Sequence, residues 1–232
     1  MYVVADQVVR YLQAHDLLQS AYRRHHSTET ALLRVLSDIY AATDRQEVTL
    51  LGLLDLSAAF DCVDHDILLR RLEQSFGVTS TPSTWIRSFL PGRTQQVCYA
   101  GRLSAIILLF FGVPQGSVLG PLLFLLYTAE VFDVIASSGL TGHSYADDTQ
   151  VYISAPAAST STTTQMFVEC VERVDAWMSS NRLRMNADKT QLVWLGTRQQ
   201  LDKLSTIELS LLSASPVFYD GVRPRCPDRR SA

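Results

Sequence analysis

No paired cysteine spacing, no internal repeat and no strong charge of either sign mark this sequence, and each absence removes a class. The four cysteines, Cys62, Cys98, Cys170 and Cys226, are scattered without a C-x-x-C pair. Neither a zinc site nor a disulfide framework is signalled, which fits a reducing compartment. Twenty basic against 23 acidic residues leave a net charge of −3, so no global positive field advertises a polynucleotide partner, although a local basic groove is compatible with an acidic total. The start, "MYVVADQVVRYLQAHD", has no basic n-region ahead of an apolar h-region, and no signal peptide is expected. The apolar runs "AIILLFFGV" and "VLGPLLFLLY" are broken by Gly112, Pro114 and Gly120-Pro121 and fall short of a membrane span. An intracellular protein with no membrane partner is expected; nucleus and cytoplasm are not separable.

What is present suffices for a folded domain. Apolar residues make up 47% of the 232 and charged ones 19%, a balance that buries a sizeable core and is not that of a disordered chain. Residues 4–18 read as a helix. A second helix starts with Ser27 as N-cap and Glu29 in its first turn, with Ala31, Leu32, Val35, Leu36 and Ile39 on one face. "VTLLGLLD", 48–55, suits a strand buried on both faces and closed by Asp55. Helices follow over 65–76, ending at Gly77, and from Thr81-Pro82. "TQQVCYAGRLSAIILLFF" reads as two strands hinged near Gly101. After the loop "GVPQGS" comes a long apolar helix over 118–136, then a hairpin around "YADD", then a polar loop, "SAPAASTSTTT". Met166, Phe167, Cys170, Val171, Val174, Trp177 and Met178 form a helical stripe that reads as core packing. "RLRMNADKTQLVWLG" reads as strand, turn and strand. From Ser213 the chain is expected to be irregular.

Three carboxylates stand out. Asp55 ends a wholly apolar strand, where an uncompensated charge is unfavourable. Asp147 and Asp148 lie at a hairpin; the plainer reading is that aspartate is a common turn residue. If the two strands are neighbours in one sheet, Asp55 and Asp147 converge at one edge, and clustered carboxylates repel unless cations join them. Mg²⁺ takes one or two carboxylates plus substrate phosphates, and two such ions about 4 Å apart serve phosphoryl transfer.

At these residues the chain resembles a known family. "LLDLSAAFDCVDHDILL", "GVPQGSVLGPLLFLLY" and "YADD", in that order, look like motifs A, B and C of a reverse transcriptase. The wording is similar to non-LTR retrotransposons of the LINE type, nearest to the CR1/Jockey-like branch; "HHSTETALL" and "NADKTQLVWLG" match flanking segments. The resemblance covers residues 5–197 and implies an α+β fold: a right-hand polymerase palm, a small antiparallel sheet backed by helices, with partial fingers and no thumb. It divides the chain into partial fingers (1–47), a palm with motifs A to D (48–197) and a divergent, partly disordered C-terminal tail (198–232).

The same resemblance implies site roles. Asp55, Asp147 and Asp148 match the metal-binding carboxylates, and the backbone carbonyl of Leu56 completes one ion's shell. Phe60 matches the steric gate that excludes a 2′-hydroxyl; without the motif a core phenylalanine fits as well. Gln115 and Gly116 match motif B, which meets the nascent pair, and "VPQG" is also an ordinary turn before a helix. Lys189 matches the motif D lysine, a candidate proton donor to pyrophosphate, although a lone lysine in a polar turn is more often solvated. Asp61, Asp64 and Asp66 read as turn and cap residues.

The implied cofactor is Mg²⁺, two ions, with Mn²⁺ as a substitute; the implied partners are an RNA template, a DNA primer and dNTPs. Against the family pattern, the sequence as given is expected to lack the upstream basic fingers segment, the downstream thumb and an endonuclease domain, and "YRRHHS" departs from the usual Phe-Arg. The expected function is therefore that of an RNA-directed DNA polymerase fragment. The alternative is a catalytically inactive truncated relic with at most weak RNA binding. A metal nuclease is disfavoured, because Phe60 and Gln115 suit nucleotide selection.

Overall fold

The computed structural model describes residues 2–14, 27–145, 148–204 and 217–220. Its organising element is β1 (Glu47–Leu54). Alternate residues of this strand, Val48, Leu50 and Leu54, enter the main core. Leu51, from the other set, joins a smaller cluster with Val35, Ile39 and Tyr152. The strand is thus covered on both faces, as its unbroken apolar run predicts.

β1 is the middle strand of a five-stranded sheet ordered β6 (Thr141–Tyr145), β7 (Asp148–Pro156), β1, β8 (Gln191–Gly196), β9 (Val217–Asp220). It runs antiparallel to both neighbours, with Leu54 opposite Thr149 and Leu53 opposite Gln191. The outer strand β9 lies parallel to β8. It falls in the segment expected to be irregular from Ser213, and α8 (Arg198–Leu201) opens the tail expected to be divergent and partly disordered. The sheet therefore continues past the expected boundary at 197. "VFYD" is a short apolar-aromatic run that a composition rich in arginine and proline around it conceals.

Helices cover the two faces. α2 (Thr28–Asp44) begins at Ser27, whose hydroxyl accepts from Thr30 N while the Thr30 side chain accepts from Ser27 N. This reciprocal cap meets two of the helix's unpaired donors. α2 buries Ala31, Val35, Ile39 and Ala42, whereas Leu32, expected on the inner face, is 51% exposed. On the main-core side, α7 (Thr160–Ser180) buries Phe167, Cys170, Val171, Val174 and Met178, the stripe expected from spacing; Met166 stays outside. Burial pushes the Cys170 thiol pKa up. A Cβ on Gly52 would lie 2.7 Å from Phe167 Cζ, so the absent side chain is what lets α7 approach β1. α1 (Tyr2–Ala14) is tied down by Tyr11, which donates to the Phe76 carbonyl at 2.8 Å.

Several expected boundaries shift. The long apolar helix is two, α5 (Leu119–Thr128) and α6 (Val131–Ser137). Length and composition alone would let Leu119–Ser137 cross a bilayer, contrary to expectation, yet nine residues of α5 are buried within the protein. The polar loop after the "YADD" hairpin is mostly ordered: β7 runs to Pro156 and α7 begins at Thr160. α3 (His65–Gln74) starts at Asp64, whose carboxylate accepts from Asp66 N and Ile67 N, the cap role expected of it. α4 spans Ser80–Phe89, with Pro82 in its first turn. The "TQQVCYAGRLSAIILLFF" segment folds back at Ala100-Gly101, both at positive φ, into short paired strands, β2 (Thr94–Gln95) with β5 (Ile107–Leu108) and β3 (Cys98–Tyr99) with β4 (Arg102–Leu103).

One buried cation joins three helices. Arg71 of α3 is 7% exposed and donates to Asn181 Oδ1 at 3.0 Å and to the Tyr127 carbonyl. It also pairs with Glu130 Oε2 at 2.7 Å and lies over the rings of Tyr127 and Trp177. The Tyr127 hydroxyl donates to the Asn181 carbonyl at 2.6 Å, and burial raises its pKa.

Candidate active site

The alternation that sends Leu50, Gly52 and Leu54 inward sends Asp55 the other way, at the exit of β1. Its carbonyl accepts from Asn186 N at 2.9 Å, and Ser57 N donates to the Arg184 carbonyl. These bonds flank an isolated bridge between Leu56 and Met185. The ladder uses the groups of Asp55 and Ser57, so the Leu56 carbonyl is left out of it. The Asp55 side chain is 28% exposed, yet its Oδ2 is buried with no hydrogen-bond partner; Lys189 Nζ stands 3.5 Å from that oxygen. The ion pair with Lys189 offsets the charge of this oxygen without giving it a hydrogen bond, and a carboxylate oxygen is the donor type that hard cations take.

The "YADD" hairpin approaches from the neighbouring strand. Tyr145 pairs with Asp148, and continuing the β1–β7 register one step beyond Leu54–Thr149 brings Asp55 opposite Asp148. Asp147, the other expected carboxylate, lies outside the described residues, as does Ala146. Among the described residues no group of three His, Cys, Asp or Glu forms a metal cluster; the proposed one needs Asp147.

After Asp55 the chain turns sharply. Ala58 sits at φ 49°, a left-handed conformation uncommon outside glycine, and a single 3₁₀ turn, Ala59–Cys62, follows. The turn presents Phe60, half-buried and 4.9 Å from the Phe124 ring. Phe60, Leu56, Gln115 and Gly116 line one cleft of about 360 Å³ with Ala58, Ala59 and Pro121. Four of the residues expected at the site thus share a single cavity.

The "GVPQGSVLGP" loop is shaped by its own sequence. Ser117 Oγ donates to the Pro114 carbonyl at 2.7 Å and accepts from Gly120 N at 2.9 Å, which fixes the entry to α5. A Cβ on Gly120 would meet the Pro114 carbonyl at 2.6 Å. Gly116 takes φ +75° with open space where a side chain would stand. Behind Gln115 lies a second cavity of about 450 Å³, bordered by Asp61, Arg93, Gln95 and Phe111. Arg93 and His65 both bond the Gly112 carbonyl, the latter through Nε2 at 2.8 Å. Burial lowers the Arg93 pKa. Sequence reasoning left Asp61, His65, Arg93 and Gly112 without site roles; the compact spelling "FDCVDH" was the signal available.

The fold is that of a polymerase palm, a small, mostly antiparallel sheet backed by helices, with Asp55 at the exit of β1 and Asp148 on the neighbouring strand β7. A family model described as reverse transcriptase (RNA-dependent DNA polymerase) matches residues 3–222. The chain belongs to the reverse transcriptase family, and within it to the LINE-type elements that its motifs resemble. It is 31% identical over 188 residues to the RNA-directed DNA polymerase from mobile element jockey of Drosophila melanogaster, covering 78% of this chain and 20% of that protein. To the probable RNA-directed DNA polymerase from transposon X-element of the same organism it is 33% identical over 137 residues, covering 56% of this chain and 14% of that protein. The chain spans about one fifth of the length of such curated relatives. Among solved structures, the apo telomerase from Candida tropicalis truncated from its C-terminal domain aligns with a TM-score of 0.58 at 14% identity, over 82% of this chain and 40% of that one. Telomerase from Candida albicans aligns at 0.56 and 16%, over 82% and 35%. At these identities the structures speak for the fold alone.

Proposed function

We propose that this chain carries the nucleotidyl-transfer centre of an intracellular RNA-directed DNA polymerase, acting on an RNA template, a DNA primer and dNTPs. The observation that carries the reading is the buried Oδ2 of Asp55, which has no hydrogen bond and stands one residue before Leu56 in the chain, where Leu56, Phe60, Gln115 and Gly116 line one cleft. Asp55, Asp147, Asp148 and the Leu56 carbonyl would hold two Mg²⁺ ions, with Mn²⁺ as a substitute. Such ions, when bound, activate the primer hydroxyl and stabilise the leaving oxygen.

The side chains do the rest. Phe60 closes the floor of the cleft and excludes a ribose 2′-hydroxyl, so the product is DNA. Gln115 and Gly116 meet the nascent pair, where the missing side chain of Gly116 leaves room for a base. Lys189, paired with Asp55 in the metal-free protein and largely exposed, would be released from it by the metal and donate its proton to the departing pyrophosphate.

Primer extension on an RNA template with Mg²⁺ and dNTPs tests the reading. Short, distributive products are expected from this chain, and none from Asp55→Asn. Equal extension by parent and Asp55→Asn, or no dNTP-dependent addition by the parent, overturns it.

A further inference from the structure

Three hydrogen bonds stitch the turn that bears Phe60 to the loop segment Gly112–Gln115. Gly112 N donates to the Val63 carbonyl at 2.8 Å, and Val113 N donates to the Phe60 carbonyl at 2.8 Å. Gln115 Nε2 donates to Asp61 Oδ1 at 2.9 Å. The first two are backbone bonds, and their close approach is possible because residue 112 is glycine: a Cβ there would stand 3.0 Å from Asp61 Cα and from the Phe60 carbonyl. The third alone depends on the side chain at position 61.

We infer that Asp61 is a positioning residue for nucleotide selection, fixing the Gln115 amide against the turn that carries Phe60; the inference rests on the polymerase reading. A carboxylate only accepts hydrogen bonds, so it sets the orientation of the amide: the nitrogen faces Asp61 and the oxygen is left to accept from a ligand. Phe60 and Asp61 are consecutive in one 3₁₀ turn, and Gln115 borders both cavities. The gate and the amide therefore move as one unit. Asp61 is exposed, so its bond adds little to global stability; its effect is on where Gln115 sits.

The test is single-nucleotide addition by the full chain on a primed RNA template, with Asp61→Ala, Asp61→Asn, Gln115→Ala and the Asp61→Ala/Gln115→Ala double variant. A charge-assisted hydrogen bond on the order of 1 kcal/mol corresponds to about a fivefold change. Asp61→Ala should raise the dNTP KM about fivefold with kcat changed less than about twofold, and leave the melting temperature near the parent's. Asp61→Asn keeps the acceptor and should stay within about twofold of the parent, and the double variant should be no worse than Gln115→Ala. An unchanged KM in Asp61→Ala, additive effects in the double variant, or asparagine no better than alanine overturns the inference. Hydrogen exchange over Gly112–Ser117 is read on the same proteins and should quicken in Asp61→Ala but not in Asp61→Asn. A parent that adds no nucleotide overturns the polymerase reading instead, and equal exchange in parent and Asp61→Ala then overturns the latch.

Discussion

Lys189 Nζ stands 3.5 Å from Asp55 Oδ2, an ammonium at the carboxylate where a divalent cation is proposed to bind. The lysine is 67% exposed, so it is free to withdraw when a stronger cation arrives. The pair is a competitor for the metal, and competition has a measurable sign.

Mn²⁺ or Mg²⁺ should stabilise the parent by about 1.4 kcal/mol at ten times the dissociation constant, read as a higher melting temperature. Lys189→Met should lower metal-free stability by no more than about 1 kcal/mol, as for other exposed ion pairs, and should enlarge the metal-dependent shift. Asp55→Asn should abolish it. Melts with chelator and with Mn²⁺ decide; a smaller shift in Lys189→Met than in the parent sinks the competition.

Phe60→Ala should raise ribonucleotide incorporation relative to deoxyribonucleotide incorporation. The ring also packs on Phe124, so the change should destabilise the fold by about 2 kcal/mol, less than a fully buried truncation. Competing dNTP and rNTP in one extension assay, at a temperature where the variant is folded, measures the first effect. Unaltered discrimination would return Phe60 to a packing role.

Gly52→Ala tests the contact between β1 and α7. The added methyl meets Phe167 Cζ at 2.7 Å, at the closest packing of the two elements. Overpacking of this kind is worth about 1–3 kcal/mol, readable as a lower urea midpoint with unchanged slope. A neutral result would mean that Phe167 swings aside freely.

Arg71→Met removes a buried cation and leaves Asn181 Oδ1 and the Tyr127 carbonyl without their donor. Breaking such a network should destabilise by about 3 kcal/mol. Urea denaturation of Arg71→Met and of Glu130→Gln separates the parts. The glutamate is 38% exposed and should matter far less.

The parts of the fold legible in the sequence are those set by local pattern. The apolar run of β1, the Ser27 cap and the stripe from Phe167 to Met178 need no partner to be recognised. Leu56, Phe60, Gln115 and Gly116, picked out by the distinctive spelling of their motifs, line one cleft. What stayed hidden depends on residues far apart in the chain. Leu32 and Ala31 compete for the same helix face, and only the sheet beneath α2 chooses between them. Arg71 looks like any surface arginine until Asn181, 110 positions later, is placed beside it. The strand at Val217–Asp220 draws its support from β8, not from its own neighbours.

The sheet order bears on how the carboxylates move. β1 has a hydrogen-bonded strand on each side, β7 and β8, so Asp55 is carried by the segment that local unfolding reaches last. Asp148 belongs to the β6–β7 hairpin, and β6 is an edge strand. Breathing of the sheet begins at such edges, so changes in the separation of the two aspartates arise on the hairpin side. The proposed metal site would thus have one fixed jaw and one compliant jaw, and a cation held by both would quiet the second.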